Sequence, residues 1–236
     1  MQQKGNWVKR MSQSTVVLQK IMFQWATALV IFLAACTRSP INLPRTSIVE
    51  VYSCDGEGLC GSGSGFFVNS TGLVLTAYHI QSRHIGRGPY VSVWWSPDLI
   101  SADIVAIDPI RDLMLLQTPI GRSRAMPSIC RSIMPEDTVI SIGRPGSLFT
   151  YSYGNVRNPV RYAMTKNFCT TSRIWEGFSG GAVVSYGSTD YCTLGVIIRC
   201  INHRITGACT ETIAVRPSDS NVIWTYLLTF APNFTR

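Results

Sequence analysis

The chain has 236 residues, of which 46% are hydrophobic and 14% charged. This balance allows a sizeable hydrophobic core and excludes an intrinsically disordered protein. The formal net charge is +8, but the first 35 residues hold four basic and no acidic residues, leaving 17 basic against 13 acidic in the rest. Because nucleic-acid binding needs a concentrated basic face, we predict no nucleic-acid partner.

The first predicted element is the apolar run 21–35, which follows this basic segment. It has the length of the hydrophobic region of an export signal and is short for a transmembrane helix, which needs about 20 apolar residues. The run ends in LAAC, which resembles the lipobox of bacterial lipoproteins and predicts cleavage before Cys36 and lipid attachment to it. An uncleaved membrane anchor and an ordinary cleaved signal are the alternatives.

All three interpretations predict that the remainder of the chain is exported. Residues 36–47 are polar and contain proline, so we predict a tether between the membrane and a folded domain at 48–236. The expected location is the cell envelope, on the periplasmic or extracellular face, with the protein held at a membrane through its N-terminal lipid or anchor.

Beyond residue 47, short β-branched and aromatic runs alternate with turn-forming residues, which is typical of an all-β sandwich or barrel. A Pro- and Arg-rich stretch at 119–135 divides these runs into two halves of about six strands each. We predict one β unit at about 48–118 and another at about 136–216. Residues 218–230 begin with a cap-like serine and aspartate, which predicts a short C-terminal helix.

The chain contains eight cysteines, and disulfides persist in an exported protein. If Cys36 carries lipid, seven cysteines remain, and at least one of these has no partner within the chain. The spacing predicts three disulfides, Cys54–Cys60, Cys200–Cys209 and Cys169–Cys192. The alternative is a zinc site made of Cys192, Cys200, His203 and Cys209, but no C-x-x-C pair supports it. We predict neither a metal nor a cofactor.

Three side chains of the kinds that acyl transfer requires occur at strand ends or turns, in the order histidine, aspartate, serine. His79 ends the run LTAYH, Asp112 opens the run DLMLL, and Ser179 lies in GFSGG. A serine nucleophile needs an adjacent base, and that base needs a carboxylate to fix its tautomer. Gly177 has no Cβ, so its N–H can turn toward the same point as the N–H of Ser179 and form an oxyanion hole.

Each residue alone has an ordinary structural explanation, but the four motifs together resemble those of trypsin-like, chymotrypsin-fold serine proteases. The HtrA-type bacterial branch is the most similar. The motifs are GSGSGFFV at 61–68, TAYH at 76–79, DPIRDLMLL at 108–116 and GFSGG at 177–181. The resemblance covers about residues 48–230.

This resemblance implies two six-stranded antiparallel β-barrels, with the active site in the cleft between them. It further implies that His79 is the general base and acid, Asp112 the orienting carboxylate and Ser179 the nucleophile. Gly177 and Ser179 would donate the oxyanion-hole hydrogen bonds. The expected activity is that of a serine endopeptidase acting on proteins or peptides; the alternative is a catalytically inactive protease-fold binding protein.

The sequence departs from the trypsin pattern at three places. Ile80 follows the histidine where trypsins carry a cysteine, and Ser64 stands where the partner of that cysteine is expected. Phe178 replaces the aspartate or asparagine that usually precedes the serine, so activation through an ion pair with a new N-terminus is not expected. We also expect no PDZ module of the HtrA type, and its absence would favour processing of a few substrates.

Two arginines are candidates for the specificity pocket. Counted from the serine, Arg173 falls where trypsins place the charge at the base of the primary pocket, and Arg199 falls on the strand that forms the pocket wall. Arginine there would favour acidic substrate side chains through charge-assisted pairing. The alternative is that the loop differs and Arg173 points to solvent.

Overall fold

The computed structural model describes residues 45–235, apart from 56–59, 83–85, 97, 122–123, 131, 158–166, 187–190, 203–205 and 207–208. The predicted export signal, Cys36 and most of the tether lie outside the described residues. Within the described part of the chain, no helix combines the length and the hydrophobicity needed to cross a membrane.

The described residues form thirteen strands in two antiparallel units. The N-terminal unit contains β1 (Ile48–Asp55), β2 (Cys60–Phe67), β3 (Leu73–Ala77), β4 (Gly86–Ser92), β5 (Leu99–Ser101), β6 (Asp103–Asp108) and β7 (Leu113–Gln117). The C-terminal unit contains β8 (Thr138–Gly143), β9 (Thr150–Arg157), β10 (Asn167–Thr170), β11 (Ala182–Ser185), β12 (Thr193–Asn202) and β13 (Cys209–Val215).

The N-terminal unit is a seven-stranded sheet in the order β5-β4-β1-β2-β3-β7-β6. Strands β3 and β7 are apolar at nearly every position because their residues are buried on both faces of the sheet. The sequence predicts about six strands here, and the sheet has seven. The additional strand, β5, pairs with β4 and is separated from β6 by buried Ala102. Three residues are too few to show an alternating pattern, so the sequence did not reveal it.

The C-terminal unit is a closed barrel of six strands in the order β10-β13-β12-β11-β8-β9. Its interior is filled by apolar side chains, among them Val139, Val156, Phe168, Phe178, Val183 and Ala214. The prediction of an all-β protein with two chymotrypsin-like β units is therefore confirmed, with the first unit forming a seven-stranded sheet.

The described residues also form three α-helices: α1 (His79–Ser82) after β3, and α2 (Asn221–Phe230) and α3 (Pro232–Thr235) after β13. Ser220 caps α2, because its hydroxyl accepts a hydrogen bond from the N–H of Ile223 at 3.2 Å. Ile223 and Leu227 are buried, and α2 lies against β6 and β7 of the N-terminal sheet. The predicted C-terminal helix is present. It packs against the sheet that the N-terminal half of the described residues forms.

Three disulfides are present within the described residues: Cys54–Cys60, Cys130–Cys192 and Cys200–Cys209. The two local predictions are confirmed, but the predicted Cys169–Cys192 bridge is wrong. The linker between the two β units pairs with the start of β12, where the N–H of Cys130 donates to the carbonyl of Thr193 at 2.9 Å. This pairing brings Cys130 beside Cys192, while Cys169 is buried in β10.

The disulfides also bear on the zinc alternative. Its three cysteines lie in disulfides, so none can supply a thiolate to a metal. Its fourth candidate, His203, lies outside the described residues. Among the residues that the structure describes, no cluster of histidine, cysteine and acidic side chains is arranged to hold a metal ion.

Candidate active site

The register of the N-terminal sheet brings His79 and Asp112 together. Strands β3 and β7 are antiparallel, and Ala77 at the end of β3 is opposite Leu113 at the start of β7. The residues just beyond these two positions therefore lie next to each other, where the two strands end on the same side of the sheet. There the N–H of Tyr78 donates to the carbonyl of Asp112 at 3.1 Å, and His79 opens the short helix α1 (His79–Ser82).

Both oxygens of the Asp112 carboxylate bind His79. Oδ2 lies 2.7 Å from His79 Nδ1, and Oδ1 accepts the backbone N–H of His79, also at 2.7 Å. The two bonds fix the plane of the carboxylate and turn the imidazole so that Nδ1 faces it and Nε2 points away. Asp112 has a φ of 58°, a left-handed conformation that aspartate and asparagine tolerate better than most residues.

Asp108 supports the turn that carries Asp112. Its carboxylate accepts the backbone N–H of Arg111 at 3.0 Å and contacts Arg111 Nη1 at 3.2 Å. Burial raises the pKa of Asp108, but hydrogen bonds from Ser220 and Arg111 and the positive charge of Arg111 outweigh it, so the pKa lies below its ordinary value of 3.8. Asp108 is therefore a structural carboxylate that links this turn to the cap of α2.

Replacing Asp108 with asparagine is expected to lower thermal stability at neutral pH and to leave catalysis largely intact. Because the folded state depresses the pKa of Asp108, its ionised form stabilises the protein above the ordinary carboxyl pKa, and this contribution is lost as the pH falls below 3.8. Melting temperatures of wild type and Asp108→Asn should therefore converge on acidification. A difference that persists undiminished at low pH would contradict the role of the charge.

Ser179 lies in a loop of the C-terminal barrel that is held by backbone hydrogen bonds. The carbonyl of Ser179 accepts the N–H of Ser64 at 2.6 Å, and the N–H of Gly180 donates to the carbonyl of Ile197 at 2.6 Å. Gly180 has a φ of 84°, and an added Cβ would overlap the Ser64 carbonyl and the Thr76 hydroxyl. Only glycine fits there, because the loop passes close to β2 and β3. Ser179 itself is partly exposed.

Position 177 cannot accommodate a side chain, for two reasons. It has a φ of 90°, and an added Cβ would lie 2.6 Å from Pro145 Cβ. Pro145 belongs to a short 3₁₀ turn, Pro145–Ser147, that follows β8. Gly177 therefore lies in close contact with this turn on one side, while its carbonyl accepts a hydrogen bond from the Ser64 hydroxyl at 2.7 Å.

Phe178 is a core residue of the C-terminal barrel. Its side chain is fully buried, its ring lies 4.8 Å from that of Trp175 in an edge-to-face arrangement, and it packs against Gly143. Phe178, which departs from the trypsin pattern, thus anchors the loop that carries Ser179 by apolar packing.

The structure corrects the position assigned to Ser64. The residue beside Ile80 is Gly63, where an added Cβ would overlap Ile80 Cδ1. Successive residues of a strand point to opposite faces, so an offset of one residue moves the side chain to the other side of the sheet. Ser64 instead faces Gly177, a role that counting along the sequence did not reveal.

The two predicted specificity arginines are both exposed. Arg173 follows buried Ser172, and its N–H donates to the hydroxyl of Ser152 at 3.1 Å. Arg199 lies on β12, with an exposed side chain between less exposed neighbours. Their part in a specificity pocket stays a prediction.

Residues 63–189 match the sequence profile of the trypsin-like peptidase domain. The chain therefore belongs to the trypsin-like peptidase family. No curated protein sequence matches it significantly.

Solved structures that share the fold include the following three. A serine endoprotease from Yersinia pestis aligns with a TM-score of 0.61 and 21% identity, covering 79% of this chain and 62% of that protein. The HtrA-type protease AlgW with a tripeptide aligns with a TM-score of 0.62 and 21% identity over 73% of this chain and 56% of AlgW. AlgW with a decapeptide gives 0.63 and 18% identity, over 79% and 66% of the two chains. This chain thus spans little more than half of the first two proteins, and the likeness concerns the fold.

Proposed function

We propose that this protein is a serine endopeptidase that hydrolyses peptide bonds through an acyl-enzyme. The observation that carries the proposal is the two-point contact between Asp112 and His79, with 2.7 Å to the ring and 2.7 Å to the backbone N–H. This arrangement orients the histidine with Nε2 facing away from the carboxylate, the orientation in which it can act as the base that a serine nucleophile requires. The protease domain in this proposal comprises residues 48–236.

In the proposed reaction, Ser179 Oγ forms a bond to the scissile carbonyl carbon and its proton moves to Nε2 of His79. The carbonyl electrons move to the oxygen, which accepts hydrogen bonds from the N–H groups of Gly177 and Ser179. Collapse of this intermediate breaks the C–N bond, and the leaving amine takes the proton from His79. Water then attacks the acyl-enzyme in the same way, and a carboxylic acid and free Ser179 result.

The alternative is a protease-fold protein that binds without catalysis. Its support in the sequence was Phe178, because a bulky residue next to the serine would distort the oxyanion loop. The buried position of this ring against Trp175 supports the enzymatic proposal instead, since the loop accommodates the aromatic side chain in the barrel core.

Labelling of the full-length protein with a fluorophosphonate tests the choice between the two. An active enzyme is expected to react at one serine, and mass spectrometry of the labelled peptide should identify Ser179. Absence of labelling, together with no turnover of a peptide library, would favour the binding protein. The same library would report whether acidic side chains are preferred, as the Arg173 prediction requires.

We further propose that the enzyme is exported and tethered to a membrane by lipid on Cys36. The support is the acid-free basic segment, the apolar run 21–35 and the LAAC sequence that ends it. The 11 residues from 37 to 47 reach at most about 35–40 Å when extended, so the active cleft would sample substrates close to the membrane.

Cys36→Ser is expected to prevent lipid attachment and to leave an uncleaved or mis-sorted precursor. Multiple acyl chains hold a protein stably on a bilayer, whereas a single chain binds only reversibly. Mass spectrometry of the native N-terminus measures the outcome. An unmodified residue 1, or a cut elsewhere without lipid, would refute lipidation without affecting the protease proposal.

A further inference from the structure

Ser64 connects the N-terminal sheet to both residues proposed to form the oxyanion hole. It lies in β2 and is completely buried. Its N–H donates to the carbonyl of Ser179 at 2.6 Å, and its hydroxyl donates to the carbonyl of Gly177 at 2.7 Å. One residue on one sheet thus contacts the backbone on both sides of Phe178.

The direction of the hydroxyl proton is fixed by the neighbouring donors. The backbone N–H of Arg144 points at Ser64 Oγ from 2.8 Å, and an N–H group can only donate. The Ser64 hydroxyl therefore uses a lone pair for Arg144 and gives its proton to the Gly177 carbonyl. Both bonds are shielded from water, so a water molecule cannot replace either hydrogen-bond partner without a cost in free energy.

This bond matters because the two oxyanion-hole N–H groups are held differently. The N–H of Ser179 shares a peptide plane with the Phe178 carbonyl, which accepts the N–H of Gly181 at 2.9 Å. The N–H of Gly177 belongs to the preceding peptide group, which is joined to the Gly177–Phe178 peptide group through glycine, the residue with the greatest rotational freedom. Contact with Pro145 limits it sterically on one side, and the Ser64 hydroxyl supplies a directional bond to its carbonyl.

The packing of Phe178 does not provide that direction. Contact between the Phe178 and Trp175 rings holds the loop in the barrel but does not select the rotation of a peptide group, and the N–H of Phe178 makes only a longer bond, 3.3 Å, to the carbonyl of Trp175. A buried hydrogen bond does select it, since its strength falls steeply when donor and acceptor are misaligned.

We propose that the Ser64 hydroxyl is a positioning residue for the oxyanion hole. By holding the Gly177–Phe178 peptide group, which lies between the two peptide groups that carry the N–H donors, it keeps the N–H groups of Gly177 and Ser179 aimed at the same point. The inference rests on the proposed protease function and extends it to a residue outside the His79, Asp112 and Ser179 group. It predicts a defect in the transition state, with little change in the binding of ground-state substrate.

The test compares wild type, Ser64→Ala and Ser64→Cys in the full-length protein. Because a misplacement of the order of 1 Å can cost about 100-fold in rate, we expect kcat of Ser64→Ala to fall by about 10–100-fold with KM nearly unchanged. A thiol is a weaker donor of similar shape, so Ser64→Cys should be intermediate. Threonine is unsuitable, because the site is tight: a Cβ on Gly143 would already lie 2.9 Å from Ser64 Oγ.

A matched control is Thr118→Val. Thr118 is also buried, and its hydroxyl donates to the carbonyl of Gly72 at 2.9 Å. Gly72 precedes β3, whereas His79 follows it, so this bond lies at the other end of the strand. Thr118→Val is expected to lower the urea midpoint to a similar extent and to leave kcat unchanged.

A peptide aldehyde provides the second measurement, because it resembles the tetrahedral intermediate once attached to Ser179. Its affinity should fall in parallel with kcat/KM across the Ser64 series, while the affinity of the product-like carboxylic acid changes little. This comparison is made on folded protein, so it remains decisive with Ser64→Cys if Ser64→Ala does not fold.

Three results would overturn the inference. They are an unchanged kcat in Ser64→Ala, an equal loss of kcat in Thr118→Val, or an order of activities other than serine, cysteine, alanine. A wild-type protein that neither turns over peptides nor reacts with a fluorophosphonate would instead remove the proposed function, and the inference with it.

Discussion

Replacing Ser179 with alanine is expected to leave the fold intact and to reduce peptide turnover by about 10⁴–10⁶-fold, the scale typical of losing a serine nucleophile. The fold should survive because the hydrogen bond from Ser64 is accepted by the backbone carbonyl of Ser179, which alanine retains. The measurements are kcat/KM on a peptide substrate and the urea midpoint of the full-length protein.

Ser101→Ala is the control for this experiment. Ser101 is exposed on β5, at the edge of the N-terminal sheet, and its loss should change neither activity nor stability. If Ser179→Ala kept most of the wild-type activity while remaining folded, Ser179 could not be the nucleophile.

Asp112→Asn is expected to lower kcat by about 10⁴-fold without displacing His79, by analogy with the same change in well-studied triads. The geometry explains why. Oδ1 of residue 112 accepts the backbone N–H of His79, which can only donate, so the amide oxygen of asparagine must stay there. The amide nitrogen then faces Nδ1 and donates to it, which forces the ring proton onto Nε2. A histidine in this tautomer cannot accept the proton of Ser179.

Asparagine is the right probe because it tolerates the left-handed backbone at this position, where φ is 58°. Alanine would combine the loss of charge with backbone strain. Asp108→Asn makes the same chemical change four residues earlier and should leave kcat largely unaffected. If Asp108 or Asp103 proved indispensable and Asp112 did not, the assignment of the carboxylate would be wrong.

The fold could be predicted well from local patterns because most strands are long enough to show them. Short runs of β-branched residues and the divided arrangement around 119–135 indicated two β units, and both are present. The three-residue strand β5 was missed for lack of any periodicity. Cys54–Cys60 was predictable because its partners lie on paired positions of one hairpin, whereas Cys130–Cys192 depends on the linker pairing with β12.

The candidate site likewise has features that the sequence predicts and features that it does not. Histidine, aspartate and serine stand in recognisable motifs, because each chemical role requires a particular residue type. The contact between Ser64 and Gly177 joins positions 113 residues apart and depends on how β2 meets the C-terminal barrel. No local pattern encodes that approach, and an error of one residue was enough to place Ser64 opposite Ile80.

The bridge between Cys130 and Cys192 has a practical consequence for detecting self-digestion. Its two ends are 62 positions apart, and the segment that it closes contains Ser179. A protease that cut itself anywhere between these cysteines would stay one covalent molecule until the bridge was reduced. Autolysis in this segment would therefore pass unnoticed on a non-reducing gel, and purified material should be compared with and without reductant before its specific activity is interpreted.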